Sequence, residues 1–186
     1  MSRSPRIVSI NGSPQKPSRT SVIIDTLLAD IALQLEDADI HRVDVADLVG
    51  QPLAVDHQSL SPLLREQLRL IESADLIIAG SPVYKGSYTG LFKYLIDLVD
   101  PTALVDVPTV LIATGGSARH TLVIEHQLRP LFAFFNTATI PVGIYAHASE
   151  IGDFEILNAD LRERIRATAS RAVSALQSAR SLELAV

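Results

Sequence analysis

Short apolar runs recur along the chain, and each is followed by glycine, proline, serine or other turn-forming residues. Uninterrupted apolar runs of this length predict strands that are buried on both faces. The predicted strands cover residues 6–10, 40–45, 76–80, 108–114 and 140–145.

Between the predicted strands, apolar residues recur at the spacing of an amphipathic helix. In the first such segment they are Ile23, Leu27, Ile31 and Leu35. Helices are predicted over 20–35, 63–71, 91–99, 121–135 and 159–180, and irregular chain over 50–61 and 147–154. Because proline cannot donate a backbone hydrogen bond, Pro130 is expected to kink or break the fourth helix.

Strands that alternate with helices predict a parallel sheet covered on both faces, in an α/β fold of three layers. The 186 residues suit one domain, 1–186, with a loose tail at about 181–186, and are fewer than the ~250 of a typical (β/α)8 barrel. The pattern does not determine the strand order. We adopt the flavodoxin-like order 2-1-3-4-5, because it suits five strands and brings the loops described below together.

Composition and charge narrow the classes of function. The net charge of -5 gives no broad basic field for nucleic acid and no polybasic segment for a membrane surface. No cysteine is present, which excludes disulfides and thiolate chemistry, and the five histidines lack metal-ligand spacing, so no metal is expected. Residues 1–6 lack the apolar core of a signal peptide and no apolar run reaches ~18 residues, so a cytoplasmic protein is predicted.

Three loops rich in small and polar residues follow the first, third and fourth predicted strands, at 12–21, 81–88 and 114–117. In an open α/β sheet, ligands bind outside the carboxyl ends of the strands, so these loops predict one shared site. The first loop carries hydroxyl groups and Arg19 into a helix start, where backbone N–H groups favour a phosphate. It matches neither the Walker pattern nor G-x-G-x-x-G, and an ordinary N-capped turn is the alternative.

The second loop could supply a wall for a flat ring through Val83 and Tyr84, and a positive charge through Lys85. The alternative is a lysine facing solvent beside a half-buried tyrosine. In the third loop, Gly115 and Gly116 permit close approach of the backbone to such a ring, and a tight strand-to-helix turn is the alternative.

Three segments of the sequence resemble NAD(P)H-dependent FMN reductases, in particular those that supply reduced FMN to alkanesulfonate or methanesulfonate monooxygenases. They are the first loop with Gly12-Ser13-Pro14 and Pro17-Ser18-Arg19, the run 81–93 (SPVYKGSYTGLFK), and the run 113–120 (ATGGSARH). The similarity extends from the first strand to about Tyr145.

The resemblance implies a flavodoxin-like fold, bound FMN and NADH or NADPH as reductant. The implied phosphate contacts are Ser13, Ser18, Arg19 and Thr20. The implied ring contacts are Pro82, Val83, Tyr84, Lys85, Gly86, Ser87, Thr114, Gly115 and Gly116. No side chain is expected to act as acid or base, because the cofactor carries out the hydride transfer while Tyr84 and Lys85 help to position the ring.

The resemblance also implies a homodimer or a dimer of dimers, the latter a homotetramer, and a transient contact with a flavin-dependent monooxygenase. Related reductases often have a π-bulge in the helix after the third loop, where this chain has His126. The residues leave both a bulge and an ordinary surface or interface histidine open.

Two other functions remain open at this point: a reductase of quinones, azo dyes or metal oxyanions that keeps FMN bound, and an electron carrier of the flavodoxin type. A carrier is expected to be more acidic and to enclose its ring with aromatic side chains. The chain has no tryptophan, and the loops expected at the ring are rich in glycine. Both features favour an enzyme over a carrier.

Overall fold

The alternating pattern builds a three-layer α/β fold in the computed structural model, which describes residues 3–56 and 58–183. The strands are β1 (Arg6–Asn11), β2 (Asp39–Asp44), β3 (Leu76–Pro82), β4 (Pro108–Gly115), β5 (Ala138–Thr139) and β6 (Ile144–His147). The helices are α1 (Arg19–Ala32), α2 (Pro62–Glu72), α3 (Gly90–Asp97), α4 (Arg129–Ala133) and α5 (Ala159–Glu183).

The sheet is parallel throughout and has the order β2-β1-β3-β4-β5, with β6 also paired to β4. This confirms the predicted fold class and the adopted strand order. Consecutive residues of the central strands point to opposite faces, because side chains alternate along a strand. Leu76 and Ile78 contact the layer of α1 and α5, whereas Ile77 and Ala79 contact the layer of α2, α3 and α4.

The predicted fifth strand at 140–145 is wrong in its bounds, because two short strands replace it. The register passes from Thr109↔Thr139 to Ile112↔Ile144, so the four residues 140–143 face only the two residues 110–111 of β4. Pro141 within this stretch has no N–H to donate to a ladder. A Cβ atom on Gly143 would lie 2.6 Å from Cγ2 of Ile124, so glycine at this position admits the helical layer.

The predicted fourth helix at 121–135 is not broken at Pro130. A π-helical stretch, Ile124–Leu128, precedes α4, and Pro130 lies in the first turn of α4, where a missing N–H is tolerated. The N–H of Arg129 donates to the carbonyl oxygen of Ile124, five residues earlier. The π segment therefore exists, and His126 within it is exposed at the surface.

The last helix extends slightly further than the pattern predicts. Residues 181–183 continue α5 instead of forming the expected tail, and 184–186 lie outside the described residues, as does His57. In the described ranges, no helix combines the length and the apolar character needed to cross a bilayer.

A bidentate ion pair joins α1 to α5. The guanidinium of Arg162 contacts both carboxylate oxygens of Asp30, at 2.5 and 2.6 Å, and the Asp30 side chain is only 7% exposed. We expect Arg162→Ala to lower the free energy of unfolding by about 1–3 kcal/mol, because a buried carboxylate loses its hydrogen-bond donors.

Urea unfolding would measure this effect. Arg166→Ala is the matched control, since it breaks the exposed pair with Glu163 and should cost at most about 1 kcal/mol. Equal losses in the two variants would contradict the prediction.

Candidate functional site

The first loop leads into α1 through an N-cap. The Oγ of Ser18 accepts from the N–H of Ser21 at 3.1 Å, so its own hydroxyl proton remains available to a ligand. The N–H groups of the first turn of a helix have no carbonyl within the helix to bond. Arg19, in that turn, is exposed, and its guanidinium makes no hydrogen bond or ion pair with the described residues. This helix start therefore offers unpaired donors to an anion.

A second set of contacts holds the first loop against the second. The Oγ1 of Thr89 donates to the carbonyl oxygen of Gly12 at 2.6 Å, and the N–H of Thr89 donates to the Oγ of Ser81 at 3.1 Å. A Cβ atom on Gly12 would lie 2.8 Å from Cδ2 of Phe92 and 3.0 Å from the carbonyl oxygen of Gly80. The chain therefore leaves β1 so close to β3 that only glycine fits.

The second loop is a tight hairpin. The N–H of Tyr84 donates to the carbonyl oxygen of Ser87 at 2.8 Å, and the reverse bond is 3.2 Å long. Lys85 and Gly86 between them both have positive φ, of 53° and 83°. Two residues of positive φ form the turn that suits the twist of two joined strands.

This turn places three of the predicted ring contacts outside the lining of the pocket described below. Lys85 and Gly86 lie at the exposed hairpin tip, and Ser87 donates to Oε1 of Gln127 in the π segment at 2.9 Å. None of the three lines the pocket. Lys85 is exposed, as the alternative of a lysine facing solvent expects, and its contact with a ring stays a prediction.

The third loop is bonded to both of the others. The carbonyl oxygen of Thr114 accepts from the N–H of Val83 at 2.7 Å. The Oγ1 atoms of Thr114 and Thr20 lie 2.8 Å apart in a buried hydrogen bond. This bond joins the first loop to the third, and both threonines are almost fully buried.

The three loops enclose one pocket of about 330 Å³, within the usual range for small-molecule sites. The structure brings ten of the thirteen predicted residues into its lining: Ser13, Ser18, Arg19, Thr20, Pro82, Val83, Tyr84, Thr114, Gly115 and Gly116. Of these, the Oγ of Ser13 is already bonded to the backbone of Gln15, and Ser13 is 3% exposed. Ser13 therefore shapes the loop and has little surface for a ligand.

The sequence analysis missed a fourth wall. Ala148, Gly152 and Asp153, from the segment after β6, also line the pocket, as do Gln15 and Pro17 of the first loop. The signal was present, because this segment follows a parallel strand in the same way as the other three loops. The sequence predicts irregular chain at 147–154 after the fifth strand, so the segment could be identified although none of its residues was among the predicted site residues.

Charges at the pocket are few. Among the lining residues that the structure describes, Arg19 is the one basic and Asp153 the one acidic side chain. Lys16 is held outside the pocket by Asp44 and Asp47, at 2.9 and 2.8 Å, and its hydrogen bond to Asp47 raises the pKa of its ammonium. Arg19 is therefore the cation that a phosphate in this pocket would meet.

Comparison with known proteins identifies the family. A family model of NADPH-dependent FMN reductases matches residues 5–150, which include every strand of the sheet and most of the four loops at the pocket. The chain belongs to the FMN reductase family. The resemblance seen in the three loop segments is thereby confirmed.

Relatives of this family cover almost the whole chain. The NADH-dependent FMN reductase SfnF of Pseudomonas fluorescens is 45% identical over 174 residues, 92% of each chain. The FMN reductase (NADPH) of Pseudomonas aeruginosa is 43% identical over 169 residues, 90% of each chain. One of these similar FMN reductases is thus named for NADH and the other for NADPH.

Solved structures agree with the fold of the FMN reductase family. An oxidoreductase from Corynebacterium diphtheriae superposes with a TM-score of 0.82 at 28% identity, covering 95% of this chain and 99% of that chain. The apo form of the NADH:FMN oxidoreductase EMOB gives a TM-score of 0.80 at 27% identity, covering 91% of this chain and 89% of that chain.

The unpaired guanidinium of Arg19 gives a direct test of the phosphate end. We expect Arg19→Ala to weaken FMN binding by about 1–3 kcal/mol, the cost of a lost charge-assisted hydrogen bond. Riboflavin, which lacks the phosphate, should bind the variant and the wild type equally. Fluorescence titration with both flavins measures this, with Arg166→Ala as a control for lost surface charge.

An Arg19→Ala variant that binds FMN with unchanged affinity would remove Arg19 from the phosphate contacts. An equal loss for the two flavins would place Arg19 away from the phosphate.

Proposed function

We propose that this chain is an NAD(P)H-dependent FMN reductase that holds FMN in the pocket between the four loops and releases reduced FMN to a partner monooxygenase. One observation carries the proposal: the pocket joins a helix start with an unpaired arginine to a wall of Pro82, Val83 and Tyr84. This arrangement matches a ligand with an anionic end and a flat ring.

The phosphate end is assigned to the start of α1. Arg19, the hydroxyl of Ser18 and the first-turn N–H groups supply hydrogen-bond donors at this end of the pocket, and the helix dipole favours an anion there. Thr20, which is 1% exposed, joins this helix start to the third loop through its bond to Thr114. These groups fit a phosphate monoester without a metal ion.

The ring end is assigned to the second and third loops. Val83 is partly buried and Tyr84 is 46% exposed, so the wall they form is apolar on one side and open to solvent on the other. In the neighbouring third loop, Gly115 and Gly116 present backbone in place of side chains. An open wall leaves room for a second planar group to stack, as a nicotinamide must.

In the proposed mechanism the protein supplies binding and geometry. Bound FMN supplies the redox chemistry, accepting a hydride from the reduced nicotinamide. The lining offers hydrogen-bond donors, an apolar wall and backbone that a ring can approach closely. Asp153 is the carboxylate among the described lining residues, and it lies next to the first loop, where the phosphate is assigned. The chain therefore orients the two reactants and needs no general acid or base.

The monooxygenase partner and the oligomeric state belong to the proposal as well. The resemblance to reductases of sulfonate monooxygenase systems, and the relatives named NADH-dependent FMN reductase, support release of reduced FMN to such a partner. The reaction uses reduced nicotinamide, which fits the predicted cytoplasmic location. A dimer or dimer of dimers is supported by an apolar cleft between α3 and the π segment, beside which Phe134 is 68% exposed.

The reductase activity is tested by nicotinamide oxidation. Purified protein should consume NADH or NADPH when free FMN is added, and should do so faster with FMN than with FAD or riboflavin, because the pocket has one place for a phosphate monoester. Steady-state kinetics with both nicotinamides and all three flavins give the measurement.

Failure of added FMN to cause any nicotinamide consumption would reject the reductase assignment. A protein that keeps FMN through dialysis and reduces quinones instead would favour the reductase with a permanently bound flavin.

The cleft beside the π segment is tested by oligomeric state. We expect Phe134→Asp to shift the protein to a smaller assembly in light scattering, because a charge in a buried contact between copies is costly. Leu33→Asp is the matched control, since Leu33 is 83% exposed at the end of α1 and away from the cleft. An unchanged mass for Phe134→Asp would exclude this cleft as the contact.

A further inference from the structure

Tyr145 lies beneath the third loop, and neither the family motifs nor the pocket lining includes it. Its side chain is almost fully buried, with 9% of the residue exposed, and it belongs to β6 next to β4. Its hydroxyl donates to the carbonyl oxygen of Ser117 at 2.6 Å. The hydroxyl therefore bonds the loop that carries Gly115 and Gly116.

Gly115 lies against that hydroxyl, where a side chain would not fit. A Cβ atom at position 115 would lie 2.5 Å from Oη of Tyr145, and the two next nearest atoms, at 3.3 and 3.5 Å, belong to the same tyrosine ring. No φ in the left-handed region requires glycine here, and no backbone atom is among the three nearest neighbours. The absence of a side chain at 115 is thus required by Tyr145.

The tyrosine is itself held firmly. Its backbone carbonyl oxygen accepts from Nη1 of Arg164 on α5 at 2.9 Å, and Arg164 also contacts Glu150, which caps the turn after β6. Burial raises the pKa of the Tyr145 hydroxyl, so the group keeps its proton and remains a donor at neutral pH. A fixed donor below a glycine loop can set the position of that loop.

We propose that Tyr145 is a positioning residue for the flavin ring: its hydroxyl fixes the loop 114–117 at the distance from Val83 and Tyr84 that the ring requires, and glycine at 115 admits the hydroxyl. The inference rests on the proposed function. It adds a residue that acts through the loop and does not touch the ligand.

The first test removes a single oxygen atom. Tyr145→Phe should raise the dissociation constant by about 5- to 10-fold, typical of one lost hydrogen bond, and by the same factor for FMN and riboflavin, because the ring end is affected. The flavin KM should rise with it while kcat stays within about twofold, since the loop contacts the ring before and during the reaction.

Tyr94→Phe is the matched control. The hydroxyl of Tyr94 also bonds a backbone group, the N–H of Ala54 at 2.7 Å, and lies away from the pocket. It should change stability by a similar amount and leave flavin affinity unchanged.

The second test exploits the contact between Gly115 and the hydroxyl. Gly115→Ala alone should weaken binding of both flavins by roughly 10- to 100-fold, because the added methyl overlaps Oη. In the double variant Gly115→Ala, Tyr145→Phe, the nearest atom is ring carbon Cζ at 3.3 Å, which a small shift accommodates. The double variant should therefore bind better than Gly115→Ala and within about threefold of Tyr145→Phe.

Gly90→Ala is the control for an added methyl group, because a Cβ there meets no atom within 4 Å. The inference is overturned if Tyr145→Phe binds flavin as well as Tyr94→Phe does, or if the double variant binds no better than Gly115→Ala. A loss for FMN without a loss for riboflavin would also overturn it. Wild-type protein that binds neither flavin would reject the proposed function itself, which is seen before any variant is made.

Discussion

The direct contact between the first turns of α1 and strand β3 is the constraint on which the pocket depends. A Cβ atom on Gly80 would lie 3.0 Å from Cδ1 of Ile24 and 3.1 Å from Cγ2 of Thr20. Because position 80 has no side chain, the helix start can lie directly over the sheet. A side chain at position 80 would require Ile24 and Thr20 to shift, and Thr20 carries the hydrogen bond to Thr114. Close packing at one glycine thus places the donors of one loop beside the backbone of another.

Hydrophobic pattern predicted the layers of this fold because each buried strand reads as an apolar run and each helix has its own period. The same pattern leaves the strand order open, since parallel pairing depends on contacts distant in the sequence. The split of the last strand was not predicted from the sequence, because the apolar run that begins at Ile140 continues past Pro141 and Gly143 and therefore predicts a single strand. The missing N–H of Pro141 and the packing of Ile124 against Gly143 together explain why the ladder is interrupted there.

The candidate site was predictable to the extent that it follows from the carboxyl ends of parallel strands. Loop composition could not tell which residues of a loop face the pocket, and Lys85 and Gly86 lie at an exposed turn whose positive φ angles no composition reveals. The segment with Gly152 and Asp153 was predicted as irregular chain after the last strand, but nothing in its composition assigned it to the site. Tyr145 carried no sequence signal, since a tyrosine in an apolar strand reads as core.

The π segment is joined to the hairpin of the second loop through a side-chain hydrogen bond. Gln127 accepts from Ser87 at the base of the hairpin, and Arg129, just after the segment, donates to the carbonyl oxygens of Ile140 and Pro141. The wide turn, the interrupted strand and the hairpin that carries Tyr84 are therefore tied together by side-chain hydrogen bonds.

The interrupted strand also determines what one margin of the sheet can offer to another protein. An open margin with a long run of free N–H and C=O groups invites a further strand to join the ladder. Here that margin consists of β5 and β6, two short pieces separated by a proline and a change of register. The opposite margin, β2, carries the charged groups of Asp39 and Arg42. Neither side presents a long, flat, uncharged template, so the fold is protected against growth of the sheet from one molecule into the next.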